Sequence, residues 1–158
     1  MGDRTEDGPK LTVRPGRPTD GPFVVTLGTM AFARFGDYAP VMTSFLRSPD
    51  VSSFIAWSAG EPVGFALLEV PRKYAGFADL VALAVDVRHR RTGVGQALLS
   101  HVIALREGRG SPSLIVLTVA EDNAPAIALF RRHGFEMVPG SFGHYAGGQT
   151  SRRMVRAI

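Results

Sequence analysis

The chain has 158 residues, within the size of one domain, and a domain of that size buries about 68–70% of the surface its unfolded form exposes. Zero cysteines exclude disulfides, cysteine-ligated metals and a cysteinyl acyl-enzyme, and no apolar run approaches the ~20 residues that a membrane span needs. With 45% hydrophobic and 20% charged residues the composition is that of an ordinary globular protein, and the polar N-terminus lacks an apolar signal core, so a soluble, cytoplasmic protein is expected.

The first ten residues carry charge, Gly and Pro with little to bury, which predicts a disordered tail over 1–10 and a single folded domain over 11–158. Leu11 to Arg14 is β-prone, and Pro15 and Pro18 close it. Asp20 is placed to cap a helix with Pro22 in its first turn, and Phe23, Leu27, Met30, Ala31 and Phe35 give that helix an apolar side. A second short helix is expected from Ala39 to Arg47, broken by Pro49-Asp50. The aromatic density of this span, Phe32, Phe35, Tyr38 and Phe45, fits either core packing or a pocket with a large apolar component. Val51 to Ser58 and Val63 to Val70 read as strands of a hairpin, separated by Ala59-Gly60-Glu61-Pro62. Tyr74 to Gly76 supplies another turn.

Leu80 to Val85 is a nearly unbroken apolar run, which suits a strand covered on both faces. From Val94 onward, Val94, Leu98, Val102 and Leu105 recur at helical spacing. The basic, glycine-containing turn between them therefore joins a buried strand to a helix start. Unpartnered N–H groups and the positive end of the helix dipole make such a junction an anion site. Gly93 and Gly95 let the backbone approach a ligand, and Arg88, Arg90 and Arg91 add charge that can be aimed at phosphate oxygens. A Walker A loop would need Lys and then Ser or Thr after its last glycine, but Gln96 and Ala97 follow Gly95. A dinucleotide fingerprint would place Gly or Ala where Leu98 stands.

Gly108 to Pro112 then breaks the chain before Leu114 to Val119, a second buried strand, and the strand–helix–strand order implies a parallel pair. Asn123 can cap the next helix, with Pro125 in its first turn and Gly134 just past its end. Phe135 to Val138 and Arg152 to Ile158 are the last strands, on either side of a glycine-rich loop from Pro139 to Thr150.

Arg90-x-x-Gly93-x-Gly95, placed between an apolar strand and an amphipathic helix, resembles the pyrophosphate loop of the GNAT superfamily of acyl-CoA-dependent N-acyltransferases. Asn123 through Phe130 to Gly134-Phe135 is similar to that family's second signature, in the right order and at the right separation. The resemblance runs from about Leu11 to the C-terminus. It implies an α/β fold whose mixed, mostly antiparallel sheet has a splayed parallel strand pair and about four flanking helices. It further implies acetyl-CoA as acyl-donor cosubstrate, no metal, and direct acetyl transfer to a primary amine of a small molecule or peptide. In that family the backbone of Leu83, Ala84 and Val85 would pair with pantetheine, and Arg90, Arg91, Thr92, Gly93, Val94, Gly95 and Gln96 would wrap the pyrophosphate. Phe130 would lie beside the cofactor, Asn123 would touch it or merely cap its helix, and Phe32, Phe35 and Tyr38 would line the acceptor wall.

Attack by an amine of lysine type, with a pKa of ~10.4, requires a base; the leaving thiolate needs a proton, and a backbone N–H near Val85 is the expected partner of the developing oxyanion. Many members of the family carry a tyrosine at the position of Phe130 to protonate the thiolate, and phenylalanine cannot donate. Tyr145 is the first substitute, with Ser141, His144 or a water as others. The tail His144-Tyr145-x-Gly-Gly148 to Met154 looks like the end of the bacterial enzymes that acetylate the N-terminus of a ribosomal protein. Their base position is Thr118 here, and their acid position is Phe130. Asp79 and Glu69 are the candidate bases. Two rival readings remain, an acyl-CoA-binding sensor or structural domain without turnover and a protein N-terminal acetyltransferase. The net charge of +4 raises nucleic acid as a partner, with basic clusters at 88–91, Arg131-Arg132 and Arg152 to Arg156. A polyphosphate cofactor accounts for the first cluster and no nucleic-acid motif stands near the others, so neither nucleic acid nor membrane is expected as a partner of this monomer or homodimer.

Overall fold

A computed structural model describes residues 10–73, 76–109 and 113–158. The β-prone runs form strands β1 (Thr12–Pro15), β2 (Val51–Ser58), β3 (Glu61–Glu69), β4 (Phe77–Val85), β5 (Leu114–Ala120), β6 (Glu136–Met137) and β7 (Ser151–Ala157). The helical spacings give α1 (Gly21–Ala31), α2 (Ala39–Arg47), α3 (Val94–Glu107) and α4 (Ala124–Arg132). All seven strands join one sheet in the order β1-β2-β3-β4-β5-β7-β6, antiparallel except where β4 meets β5. This is the mixed α/β architecture anticipated above. No described helix is long and apolar enough to cross a membrane.

The sheet carries an apolar cluster on each face. Because side chains alternate along a strand, β3 feeds both: Phe65 and Leu67 pack with Val24 and Leu27 of α1 and Met42 of α2. Its Ala66 and Leu68 pack instead with Leu98, Leu99 and Val102 of α3 and Phe130 of α4. Thus α1 and α2 cover one face, and α3 and α4 the other.

β4 departs from a regular strand. Leu67 pairs with Ala82 but Leu68 pairs with Leu80, so Val81 is an extra residue and the alternation changes phase there. As a result Ala78 and Leu80 belong to the cluster under α3, whereas Ala82 and Ala84 belong to the cluster under α1 and α2. The expected unbroken apolar strand is therefore two half-strands serving opposite faces.

Local expectations are corrected in four places. Asp20 precedes α1 without capping it: its carboxylate accepts from the Arg17 amide at 2.7 Å and pairs with Arg14 at 2.9 Å, tying β1 to the start of the helix. Met30 is 68% exposed, because the buried side of α1 is set by Val24, Leu27 and Gly28, and Phe35 lies beyond the helix end. The β2–β3 hairpin turns on Ala59 and Gly60 alone, both left-handed at φ 51° and 77°, so Glu61 and Pro62 are already paired in β3. Finally, β6 is only Glu136–Met137, since Phe135 is drawn back by its amide bond to the Phe130 carbonyl at 3.1 Å. The turn expected at Tyr74 and Ala75 and the break around 110–112 lie outside the described residues.

Candidate active site

The parallel pairing of β4 and β5 runs only from Phe77↔Leu114 to Leu80↔Leu117. Beyond it β5 stays paired to β7 as far as Ala120↔Ser151, and β4 stays paired to β3 through Gly64↔Val85. The two strands therefore part after Leu80 and Leu117, and the β5-facing edge of Val81 to Val85 has no strand partner among the described residues. Leu83, Ala84 and Val85 lie on that edge.

At the end of β4 the chain passes through a short 3₁₀ turn, Val87–His89, into α3. Gly93 is the N-cap of α3 in a left-handed conformation at φ 87°, and Arg91 is also left-handed at φ 63°. The Thr92 hydroxyl donates to the His89 carbonyl, and the first turn of α3 closes with the Ala97 amide on the Gly93 carbonyl at 2.9 Å. The N–H groups of Val94, Gly95 and Gln96 thus lie at the free end of a 14-residue helix. A Cβ on Gly95 would come within 3.2 Å of the Leu129 side chain on α4, so Leu129 would have to give by a few tenths of an ångström. Arg90 and Arg91 are exposed, whereas Arg88 is held by Asp86 through contacts of 3.0 and 3.3 Å, so its charge is spent locally rather than offered to a ligand.

A cleft of about 320 Å³ occupies the splay. It brings together Phe32, Phe35, Tyr38, Asp79, Leu83, Asn123, Phe130 and Tyr145, residues that sequence reasoning had assigned to three separate roles. Its other walls include Val41 and Phe45 of α2 and Leu117 to Ala120 of β5. Glu69 is not in the lining but is the cross-strand partner of Asp79. Thr118, which the resemblance matches to the base position of the ribosomal-protein enzymes, lines the same cleft. Asn123 caps α4, its side-chain oxygen accepting from the Ala126 amide at 3.4 Å, and it also lines the cleft. Phe130 packs edge-on against Phe135 at 5.8 Å. Outside the cleft, His133 ties α4 to α3 through the Leu129 carbonyl at 2.9 Å and the Ser100 hydroxyl at 3.2 Å, and His144 and Ser141 are exposed.

Three groups in the cleft have altered proton affinities, and one of them is the Tyr38 phenol, raised by burial. Burial pushes Asp79 up to about 6; the Arg153 charge pulls it down, and the neighbouring Glu69 carboxylate adds to the rise. Burial, with a smaller contribution from Tyr38, pushes the Tyr145 phenol up to about 12. At neutral pH Asp79 is mostly ionised, and the Tyr38 and Tyr145 phenols are protonated donors.

The rim is closed by contacts that no local signal reveals. The loop after α1 and the loop before β7 are clasped by the Gly147 amide on the Phe35 carbonyl at 3.0 Å and by Gln149 on the Arg34 carbonyl at 2.9 Å. Phe35 and Tyr145 pack with tilted rings at 4.9 Å, and Arg34 lies over the Phe35 ring while pairing with Asp122 at 3.0 Å. Val41, Arg34, Gly147 and Gln149 escaped sequence reasoning because their partners are distant along the chain.

A family model described as the acetyltransferase (GNAT) family matches residues 25–135, which hold the splay, the turn and α4. The chain belongs to the acetyltransferase (GNAT) family. Its relatives in that family include an N-alpha-acetyltransferase of Sulfurisphaera tokodaii, 27% identical over 163 residues that span 96% of this chain and 95% of that protein. An L-amino acid N-acetyltransferase of Escherichia coli is 34% identical over 92 residues, 56% of each chain. The crystal structure of the ribosomal-protein-S18-alanine N-acetyltransferase from Escherichia coli superposes with a TM-score of 0.76 at 26% identity, covering 94% of each chain. This GNAT protein is thus an acetyltransferase by family and by fold.

Proposed function

We propose that this GNAT acetyltransferase moves the acetyl group of acetyl-CoA to a primary amine by direct attack, with donor and acceptor held at once on the two sides of the splay. One observation carries the reading: a single cleft is lined both by Asn123 and Phe130, from the α3/α4 side of the sheet, and by Phe32, Tyr38 and Phe45, from the α1/α2 side. The residues fit the donor. The unpaired edge at Leu83, Ala84 and Val85 offers main-chain groups to an amide-bearing arm, and the α3 N-terminus, with Arg90, Arg91, Thr92, Gly93, Val94, Gly95 and Gln96, offers N–H groups and positive charge to a pyrophosphate.

When bound, the donor supplies a thioester carbonyl as electrophile and a thiolate as leaving group. Asp79 is the base that removes the proton from the attacking amine; a carboxylate with affinity near neutrality combines a high ionised fraction with useful basicity. Glu69 supports it by raising that affinity. Tyr145, at about 12, is a weaker acid than a thiol of pKa ~8.5, so it donates a hydrogen bond to the departing sulfur rather than surrendering its proton. Much of the remaining acceleration is positioning, through the clasped aromatic wall. The named activities of an L-amino acid N-acetyltransferase and a ribosomal-protein-S18-alanine N-acetyltransferase among the similar proteins support an amine acceptor.

Thermal melts with acetyl-CoA, CoA, ATP and NAD test the donor site. Ligand at ~100 times its Kd adds ~2.7 kcal/mol, about 5–10 °C for a domain of this size. Shifts with both CoA species and none with ATP or NAD are expected, together with thiol release that depends on an added amine. Binding without amine-dependent release would point to a sensor instead.

A further inference from the structure

We infer that the acceptor is the α-amine of an apolar residue whose own carboxyl is tied up as an amide, and not a free amino acid. This rests on the acetyl-transfer reading above and narrows its acceptor.

Charge is the first ground. The described residues lining the cleft include one carboxylate, Asp79, and no Arg, Lys or His. Two arginines border it: Arg34 is engaged with both oxygens of Asp122 and the Phe35 ring, and Arg153, over the Phe142 ring at 4.1 Å, already has its charge set against Asp79. A free amino acid would carry its carboxylate beside Asp79, with Glu69 opposite, adding a third negative charge in apolar surroundings where the Arg153 charge already serves Asp79. An amide at the same place is neutral. Its carbonyl can accept hydrogen bonds from phenols such as Tyr38 and Tyr145, both in the lining.

Shape is the second ground. Phe32 and Tyr38 pack at 5.3 Å, Phe35 and Tyr145 at 4.9 Å, and Val41 and Phe45 complete an apolar wall. That wall matches an apolar or aromatic side chain next to the amine. At about 320 Å³, shared with the reacting end of the donor, the cleft is at the small end for ligand sites, so the acceptor places its amine and one side chain there while the rest of a longer acceptor extends outside. The proton affinity of Asp79 agrees, since an α-amine of pKa ~7.7–8.0 gives up its proton to such a base far more readily than a lysine-type amine at ~10.4.

The test is steady-state acetylation of phenylalaninamide, phenylalanine, alaninamide, Nα-acetyl-lysinamide and a phenylalanine-initiated tetrapeptide amide, with calorimetric binding of the same amines to protein saturated with CoA. Phenylalaninamide should exceed phenylalanine about 100-fold in kcat/KM and alaninamide about 10-fold. A tetrapeptide better than phenylalaninamide identifies a peptide N-terminus as the source; equal values identify a small amide, and both outcomes support the class. Phenylalanine or the lysine side chain used as well as phenylalaninamide overturns it while leaving acetyl transfer intact. If no amine turns over, tighter binding of phenylalaninamide than phenylalanine upholds the acceptor class and removes the transfer reading. Equal binding, or none, removes the acceptor class.

Discussion

Asp79 shows how far a single residue can be read from its neighbours in sequence. Its position ahead of an apolar strand makes it a candidate base, but only burial within the cleft, beside Glu69, lifts its affinity to about 6. Asp79→Asn should lower kcat by about 10²–10⁴-fold with acetyl-CoA affinity unchanged, and should erase the rise of kcat/KM through pH 6. Glu69→Gln should keep that rise and move it to lower pH, because a like charge has been removed. The stability linkage runs opposite to the usual carboxylate: Asp79 binds a proton more tightly folded than unfolded, so its contribution to stability falls as pH rises from about 4 to about 6. Asp20 and Asp86 have lowered affinities, Asp86 to about 2, and their stabilisation is present above the ordinary carboxylate range and lost as pH falls through it. Urea melts between pH 3 and 7 would separate the two slopes when wild type is compared with Asp79→Asn. Tyr145→Phe should reduce kcat several-fold while the acetyl-CoA melting shift is retained; unchanged kcat would remove Tyr145 from the mechanism.

At the scale of elements, the turn into α3 and the entry to α1 each depend on one residue. Gly93 is left-handed and its missing Cβ would meet nothing within 4 Å, so backbone conformation rather than crowding demands glycine. Gly93→Val should cost about 1–3 kcal/mol in stability and largely abolish the acetyl-CoA melting shift, as the first-turn N–H groups lose their aim. Asp20 links the guanidinium of Arg14 in β1 to the turn at Arg17. Asp20→Ala should destabilise by about 1.5–3 kcal/mol, measured by urea unfolding, and should flatten the loss of stability at acid pH. The capping role expected of this residue was close in position yet different in partner. A carboxylate before a helix can serve either the helix or the preceding turn, and here the tertiary neighbour Arg14 decides.

For the whole molecule, the consequence of two clusters on one sheet is that β3 couples them. Phe65 faces α1 and α2, Ala66 faces α3, and both are fully buried. Phe65→Ala on one face and Leu98→Ala on the other should each cost about 2–5 kcal/mol and still give one cooperative unfolding transition by circular dichroism and tryptophan fluorescence. Two transitions would mean that the faces unfold independently. The same sheet explains how the site arises. β4 and β5 are held together at one end by pairing and held apart at the other by β3 and β7, so the gap is a property of the sheet rather than of any segment.

The local segments were determined by the sequence itself. The bounds of α2 and β2, the strand–turn–helix around Gly93, the cap at Asn123 and the stop at Gly134 follow from periodicity, proline, glycine and capping chemistry, all of which act within a few residues. The tertiary structure alone decided the bulge at Val81, the splay beyond Leu80 and Leu117, the exposure of Met30 against the burial of Phe35, and the clasp of Arg34 with Gln149 and Asp122. Those features depend on strand register and on partners far along the chain. A side chain's neighbours, and with them the proton affinity of Asp79, exist only once distant elements have removed it from water.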